Sequence, residues 1–141
     1  MTIPVVVFPD ADLVVVGALR DFLGTRSEDF TQNVTVGTQI PSAQTPARFI
    51  RVRRHGGGTI APVIDQARLD ILIWHDSPFT RMQLAQLVRG FLVALIGVYG
   101  GVACYGGTTF MTPAQMPDPD DDTREITMLT VDVRMRGTQL D

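Results

Sequence analysis

The chain has 141 residues, of which 45% are hydrophobic and 19% are charged, and its formal net charge is −3. A chain of this length and composition is expected to fold as a single domain, 1–141, with a sizeable core. The small negative charge gives no global reason to expect nucleic-acid binding. Cys104 is the only cysteine, which excludes an intrachain disulfide.

The N-terminal part of the chain predicts one helix and one short strand. The opening residues, MTIPVVVFPDAD, have no basic segment and do not resemble a secretory signal, so a reducing cytoplasm is the expected compartment. Asp10 is a candidate N-cap for a helix over 11–23 that ends at Gly24. A short strand over 34–36 and a proline-containing loop over 39–46 follow.

Two further strands are predicted after this loop. Residues 47–54 (ARFIRVRR) carry arginines on both faces, which argues against a central strand covered on both sides. Residues 55–58 (HGGG) indicate a turn or a hairpin tip. Residues 67–74 alternate as a half-buried strand does. Its apolar and charged side chains point in opposite directions: Leu69, Ile71 and Ile73 against Arg68 and Asp70.

A helix over 77–97 is the element around which the rest of the chain is organised. Ser77 is a suitable N-cap, Pro78 fits the first helical position, and Gly97 is a plausible stop. One face of this helix is continuously apolar and is expected to pack on two strands. The predicted core is Leu84, Leu87, Val88, Phe91, Leu92 and Leu95 against Leu69, Ile71, Ile73, Leu129, Val131 and Val133.

The segment after this helix is long and uncharged. No charged side chain lies between Arg89 and Asp118, which is enough length to span a bilayer. Its second half is rich in glycine and threonine, however, and the apolar face begins upstream among polar residues. A buried helix followed by a buried strand over 102–111 is therefore the better interpretation, and no membrane is expected.

The C-terminal part predicts a loop and a strand. Residues 112–122 (TPAQMPDPDDD) contain three prolines and an acidic cluster, which indicates an irregular loop. Residues 124–136 then alternate cleanly between apolar and polar positions. The order of elements predicts an α+β fold, in which two main helices pack on a mostly antiparallel sheet of four to five strands.

The sequence predicts no catalytic, cofactor or metal site. The tetrapeptide at 55–58 matches an oxyanion-hole motif of some esterases, but the Gly-x-Ser-x-Gly that this chemistry also needs is absent. Cys104 could pair with His55 or His75, yet its apolar strand favours structural burial. The acidic run at 118–122 departs from a calcium loop at the loop's sixth and twelfth positions.

Two charged clusters form the candidate interface with other subunits or partners. The basic cluster suits binding of phosphate or of a carboxylate-rich surface, or is simply a solvated edge strand. The acidic cluster either reaches the arginines of a neighbouring subunit or is a solvated tip. The basic residues are Arg48, Arg51, Arg53 and Arg54. The acidic residues are Asp118, Asp120, Asp121 and Asp122.

The order of elements over nearly the whole chain is similar to that of a known family. An N-terminal helix over 10–24 precedes ARFIRVRR, and RLDILIWHD runs into a helix opened by Ser77 and Pro78. A glycine-rich strand, the loop PAQMPDPDDDTRE and the strand ITMLTVDVRMR close the chain. In this layout the chain resembles the tail terminator proteins of long-tailed (siphovirus-type) bacteriophages and their relatives at the head–tail junction.

The resemblance implies a structural, non-enzymatic subunit of a ring, typically a hexamer. Such a ring caps the growing tail tube, stops its polymerisation and provides the surface that joins tail to head. It assembles in the host cytoplasm and lies at the head-proximal end of the virion tail. The implied partners are further copies of the chain, the tail tube protein and a head-completion or connector protein. DNA would pass through the ring without sequence-specific binding, and no cofactor is implied.

Three alternatives stay open at this point. A head–tail connector (neck) adaptor is also a small α+β subunit of a ring, and the sequence does not give the number of subunits. A small cytoplasmic enzyme would use Cys104 with a histidine. A monomeric binding domain would use the arginine strand.

Overall fold

The structure, a computed structural model, describes residue 3 and residues 5–41 and 46–140, apart from the side chain of residue 122. Its helices are α1 (Ala11–Gly24) and α2 (Pro78–Val93), with a 3₁₀ turn at Asp29–Thr31. Its strands are β1 (Val5–Val7), β2 (Thr35–Gly37), β3 (Phe49–Ala61), β4 (Ile64–Trp74), β5 (Ile96–Tyr99), β6 (Val102–Asp118), β7 (Asp121–Arg136) and β8 (Thr138–Leu140). The α+β class with two main helices is confirmed.

The described strands form one sheet of six and one of two, whereas a single sheet of four to five strands was predicted. The main sheet has the order β2-β3-β4-β7-β6-β5 and curls into a half-barrel. All its neighbours are antiparallel except β2 and β3. Strands β1 and β8 pair separately as a two-stranded ribbon. Strands as long as β6 and β7 accumulate right-handed twist, which favours this curling.

Both helices pack on the same face of the main sheet, which we call the covered face. Val15 and Leu19 of α1 and Leu84 and Val88 of α2 are completely buried there. Ten of the predicted core side chains are buried on this face: Leu69, Ile71, Ile73, Leu84, Val88, Leu92, Leu95, Leu129, Val131 and Val133. The opposite side of the sheet is called the open face below.

Two predicted core residues are only half-buried. Leu87 is one, and Phe91 is the other. The ring of Phe91 stacks on Phe22 of α1, with ring centroids 4.2 Å apart. Phe91 therefore joins the two helices to each other at the rim of the core and does not contribute a fully buried side chain.

The start of α2 is as predicted, but its end is not. The Ser77 hydroxyl accepts from the backbone N–H of Thr80, and the Thr80 hydroxyl accepts from the N–H of Ser77, which is a capping box. The helix ends at Val93, before Gly97. Gly97 lies in β5 with φ of +136°, so it serves the strand and not the helix stop.

The HGGG segment is not a hairpin tip. Residues 55–58 lie inside β3, and the turn to β4 comes later, after Ala61. A bulge between Arg54 and Gly56 shifts the register, and Gly57 has φ of +100°. A Cβ on Gly57 would overlap the backbone carbonyl of Gln66 on the neighbouring strand. Glycine here permits a bulged strand, which the local sequence does not distinguish from a turn.

The predicted loop at 112–122 is also wrong, because β6 and β7 form one long hairpin. Strand β6 continues to Asp118, and β7 begins at Asp121. Strand β5 pairs with β6 only at 102–105, so the later part of β6 is an edge of the described sheet. Proline is tolerated on an edge strand, where its missing N–H leaves no ladder bond unmade. Pro113 additionally falls at a shift of register.

Candidate functional site: the open face of the sheet

Two of the four candidate arginines, Arg48 and Arg54, form ion pairs within the subunit. The Arg48 Nη2 lies 2.7 Å from Asp76 Oδ2, and its Nη1 donates to the backbone carbonyls of Asp29 and Gln32. The guanidinium holds the pKa of Asp76 below its ordinary value. Arg54 lies opposite Leu69, on the side of the helices, and makes a bidentate pair with the carboxylate of Asp65.

The other two candidate arginines lie on the open face. Arg51 Nε donates to the backbone carbonyl of Thr38 at 3.1 Å and is half-buried. Arg53 Nη2 lies 3.2 Å from Asp70 Oδ2, and 45% of its side chain is exposed. Because successive residues of a strand alternate between faces, Arg51 and Arg53 share one face and Arg54 lies on the other.

Asp70 is a buried carboxylate that organises the centre of the open face. Its Oδ2 accepts from Arg53 and lies 2.8 Å from His55 Nδ1, while its Oδ1 accepts from the Thr130 hydroxyl at 2.8 Å. Burial would raise the pKa of Asp70, but hydrogen bonds from His55, Thr130 and Arg53 outweigh it, and the pKa lies below its ordinary value. Asp70 therefore stays charged and holds the Arg53 guanidinium and the His55 ring at the surface.

A second group of contacts on the open face centres on Arg68. Its Nε and Nη2 donate to the two carboxylate oxygens of Asp132 at 2.9 and 3.1 Å. Its guanidinium carbon lies 3.5 Å from the centroid of the Phe110 ring. Arg134 Nη1 donates to the Thr108 hydroxyl at 3.2 Å, and Arg136 is exposed two residues further along β7. The contacts with Asp132 and Phe110 hold the Arg68 guanidinium in one orientation.

The acidic candidate residues divide into one structural residue and an exposed turn. Asp118 is 5% exposed, and its carboxylate accepts from the indole N–H of Trp74 at 2.7 Å. It closes a small apolar cluster of Phe49, Leu72, Trp74 and Ile126. Asp120 and Asp121 are exposed at the hairpin tip, and the side chain of Asp122 lies outside the described residues. Among the described side chains, no ion pair joins this tip to Arg48, Arg51, Arg53 or Arg54.

The reactive side chains considered in the sequence are placed apart. Cys104 is 2% exposed in the core of the covered face, where burial raises the pKa of its thiol. His75 bonds the Thr80 hydroxyl and the Phe30 carbonyl, while His55 bonds Asp70. The expected burial of Cys104 is confirmed. The described residues contain no group of three or more histidine, cysteine or acidic side chains placed to hold a metal ion.

The candidate site residues predicted from the sequence do not include several charged residues that matter on the open face. They are Asp70, Arg68, Asp132, Arg134 and Arg136, which lie on β4 and β7. Their outward alternation was visible in the sequence. Their juxtaposition was not, because it depends on the register in which Arg68 lies opposite Asp132. These residues could have been predicted only if the pairing of β4 with β7 had been known.

Comparison with known proteins gives no assignment to set beside this geometry. No protein-family model matches the chain, and no curated protein is significantly similar to it in sequence. None of the described helices is both long and apolar enough to cross a membrane. Function therefore has to be argued from the surfaces themselves.

Proposed function

We propose that the chain is a structural virion protein, the subunit of a ring that terminates the tail tube of a long-tailed bacteriophage and joins it to the head. The observation that carries this proposal is the edge strand β5. Its side chains Ile96 and Val98 are 70% and 73% exposed, and no charged residue lies between Arg89 and Asp118. Monomeric proteins protect such edges with charge or by keeping the edge strand very short. Strand β5 has only four residues, but its exposed side chains are apolar and uncharged, which favours contact with another chain.

The ribbon of β1 and β8 offers a second apolar surface for assembly. Val5, Val7 and Leu140 are each about half exposed along it. A two-stranded ribbon is marginally stable by itself, so contacts from a neighbouring subunit would stabilise it. A cavity of about 510 Å³ separates the ribbon from the turn between β5 and β6. Two different apolar surfaces on one subunit suit a head-to-tail contact, which closes into a ring when the rotation permits.

Charged residues would set the register of this contact. Asp120 and Asp121 at the hairpin tip and Arg53 on the open face are exposed, and they can meet across two subunits. Arg48, Arg54 and Asp118 are already engaged within the subunit. Complementary charges at a rim fix orientation and association rate more than affinity.

The decisive experiment places a charge on the bare edge. We expect the purified chain to form rings, seen by light scattering and negative-stain imaging, alone or with tail tubes. Val98→Glu should abolish the rings and the capping of tubes. The matched control is Phe79→Glu, because Phe79 is 71% exposed at the N-terminal end of α2, about 20 Å along the helix from the end that leads into β5, and its rings should persist. If the protein is a monomer at every concentration and does not bind tube ends, the proposal is wrong.

A head–tail connector subunit is the alternative that these same surfaces serve. The two functions differ in what the ring binds. A terminator caps purified tail tubes, whereas a neck adaptor binds DNA-filled heads that lack tails. Mixing the protein with each particle in turn distinguishes them. Cys104→Ser should leave either assembly intact, since Cys104 is buried beneath the helices.

A further inference from the structure

The open face carries a strip of cations, and we propose that this strip binds the phosphodiester backbone of a nucleic acid without sequence specificity. We call it the cationic strip; its cations are Arg51, Arg53, Arg68, Arg134 and Arg136, and the His55 ring lies among them. Register and alternation place these side chains on one face, spread over β3, β4 and β7. The helices lie on the opposite face.

The strip is long and runs diagonally across the sheet. Arg136 lies opposite Ile64, and Arg51 lies opposite Leu72, so the strip extends about 26 Å along β4 at the usual rise per residue. It crosses from β7 to β3, which is about 10 Å at the usual strand spacing. Its cations are therefore spread along a line, as the phosphates of a nucleic-acid strand are.

The carboxylates on this part of the face lie beneath the cations. Asp70 and Asp132 are 3% and 8% exposed, and each is bonded to an arginine. They hold guanidinium groups in place while presenting little negative charge to solvent. Arg136 and the outer part of Arg53 remain exposed. A ligand that approaches the strip consequently meets oriented donors, which suits bidentate contact with phosphate.

Two glycines leave the backbone of β3 without side chains in the middle of the strip. Gly56 and Gly58 lie opposite Arg68 and Gln66 on β4, and a Cβ on either glycine would meet open space. Unlike Gly57, they are not required by a neighbouring atom. A glycine in a strand often marks a bulge or a place where a ligand approaches closely. The bulge lies beside Gly56, so Gly58 is the glycine that indicates room for a ligand.

The distribution of side chains favours a nucleic acid over an acidic protein. Protein interfaces are centred on buried apolar or aromatic anchors. Within the described part of the strip the exposed aromatic contact is Phe110, and Arg68 already covers its ring. Apart from the Phe110 ring, which is still 53% exposed, and the His55 imidazole, the strip consists of arginines, so contact with the backbone is expected to dominate over base stacking. The net charge of −3 does not oppose this locally, because charges beyond about 10 Å are largely screened in 0.1 M salt.

Salt-dependent binding of a DNA duplex tests the inference. Fluorescence anisotropy of the full chain with a short labelled duplex of mixed sequence should show affinity that falls steeply from about 50 to 200 mM salt. Arg136→Gln should make the slope of log K against log salt shallower by about 1, and Arg134→Gln combined with it by about 2. The matched control is Arg26→Gln, which removes an exposed arginine beside α1 and should leave the slope unchanged.

Each contrary outcome is informative. Absence of binding in low salt would overturn the inference, as would an equal loss in Arg26→Gln or binding confined to one sequence. If polyglutamate of matched charge displaces the duplex as well as unlabelled DNA does, the strip serves an acidic protein and the inference is wrong. Ring formation is measured separately, so either proposal can fail without the other.

Discussion

The two faces of the main sheet are built from the same alternating strands, yet they differ in what lies on them. The covered face presents Leu69, Ile71 and Val131 to the helices and excludes water. The open face buries a smaller apolar cluster around Trp74, and beside it lie Asp70 and Arg68, which bond to residues on neighbouring strands. Burial makes the first face the main source of stability, since apolar area removed from water dominates folding energetics. Charge held at the surface leaves the second face available for recognition.

The largest effect on stability is expected from truncating a side chain that is buried on the covered face. Leu84 on α2 is completely buried, and Leu84→Ala should lower the free energy of unfolding by about 2–5 kcal/mol. Phe79 on the same helix is 71% exposed, so Phe79→Ala should change it by less than about 0.5 kcal/mol. Denaturant titration of both variants measures the difference. Equal losses would mean that α2 does not pack as described.

The next effect distinguishes two adjacent glycines of β3. Gly57→Ala should destabilise by about 1–3 kcal/mol through its positive φ alone, and more through overlap with Gln66. Gly58→Ala adds a methyl group to open space and should be tolerated. Thermal melts of the two variants compare the cost of adding a methyl group at a strained position with its cost at an open one. A stable Gly57→Ala would show that the bulge is absent.

Elements that are determined locally were predictable from the sequence. The start of α2 follows from Ser77 and Pro78, and the alternation over 67–74 and 124–136 placed the right residues on the covered face. These signals lie within one turn or one strand. They need no knowledge of a partner, because periodicity alone distinguishes the buried side.

Elements that depend on pairing were not predictable. The glycines at 55–58 and the prolines between Pro113 and Pro119 are turn residues by local propensity. They lie in or beside long strands because a bulge and an edge position accommodate them. The contacts on the open face also depend on strand pairing and were not predicted. Arg68 and Asp132 are distant in sequence and meet only through the register of β4 and β7.

A smaller effect should follow from removing the central charge of the open face. Asp70→Asn should cost about 1–3 kcal/mol at neutral pH, because His55, Thr130 and Arg53 lose a charged acceptor. The pKa of Asp70 is lowered in the folded state, so this stability is fully present above the unfolded pKa of about 3.9 and is lost as the pH falls below it. Unfolding titrations at several pH values should show the gap between variant and wild type closing below about pH 4. A gap that is constant down to pH 2 would argue against a charged Asp70.

The smallest effect compares two arginines of the cationic strip. Arg68 is held by Asp132 and lies over Phe110, so Arg68→Gln leaves a largely buried carboxylate without its cation and should lower the free energy of unfolding measurably. Arg136 is exposed, and Arg136→Gln should change the free energy of unfolding by less than about 0.5 kcal/mol. The same Arg136 variant is expected to weaken duplex binding, which would separate recognition from stability at a single residue. Melting curves and anisotropy titrations on one preparation test both parts. If Arg136→Gln destabilises as much as Arg68→Gln, Arg136 is part of the fold, and its loss in a binding assay says nothing about the strip.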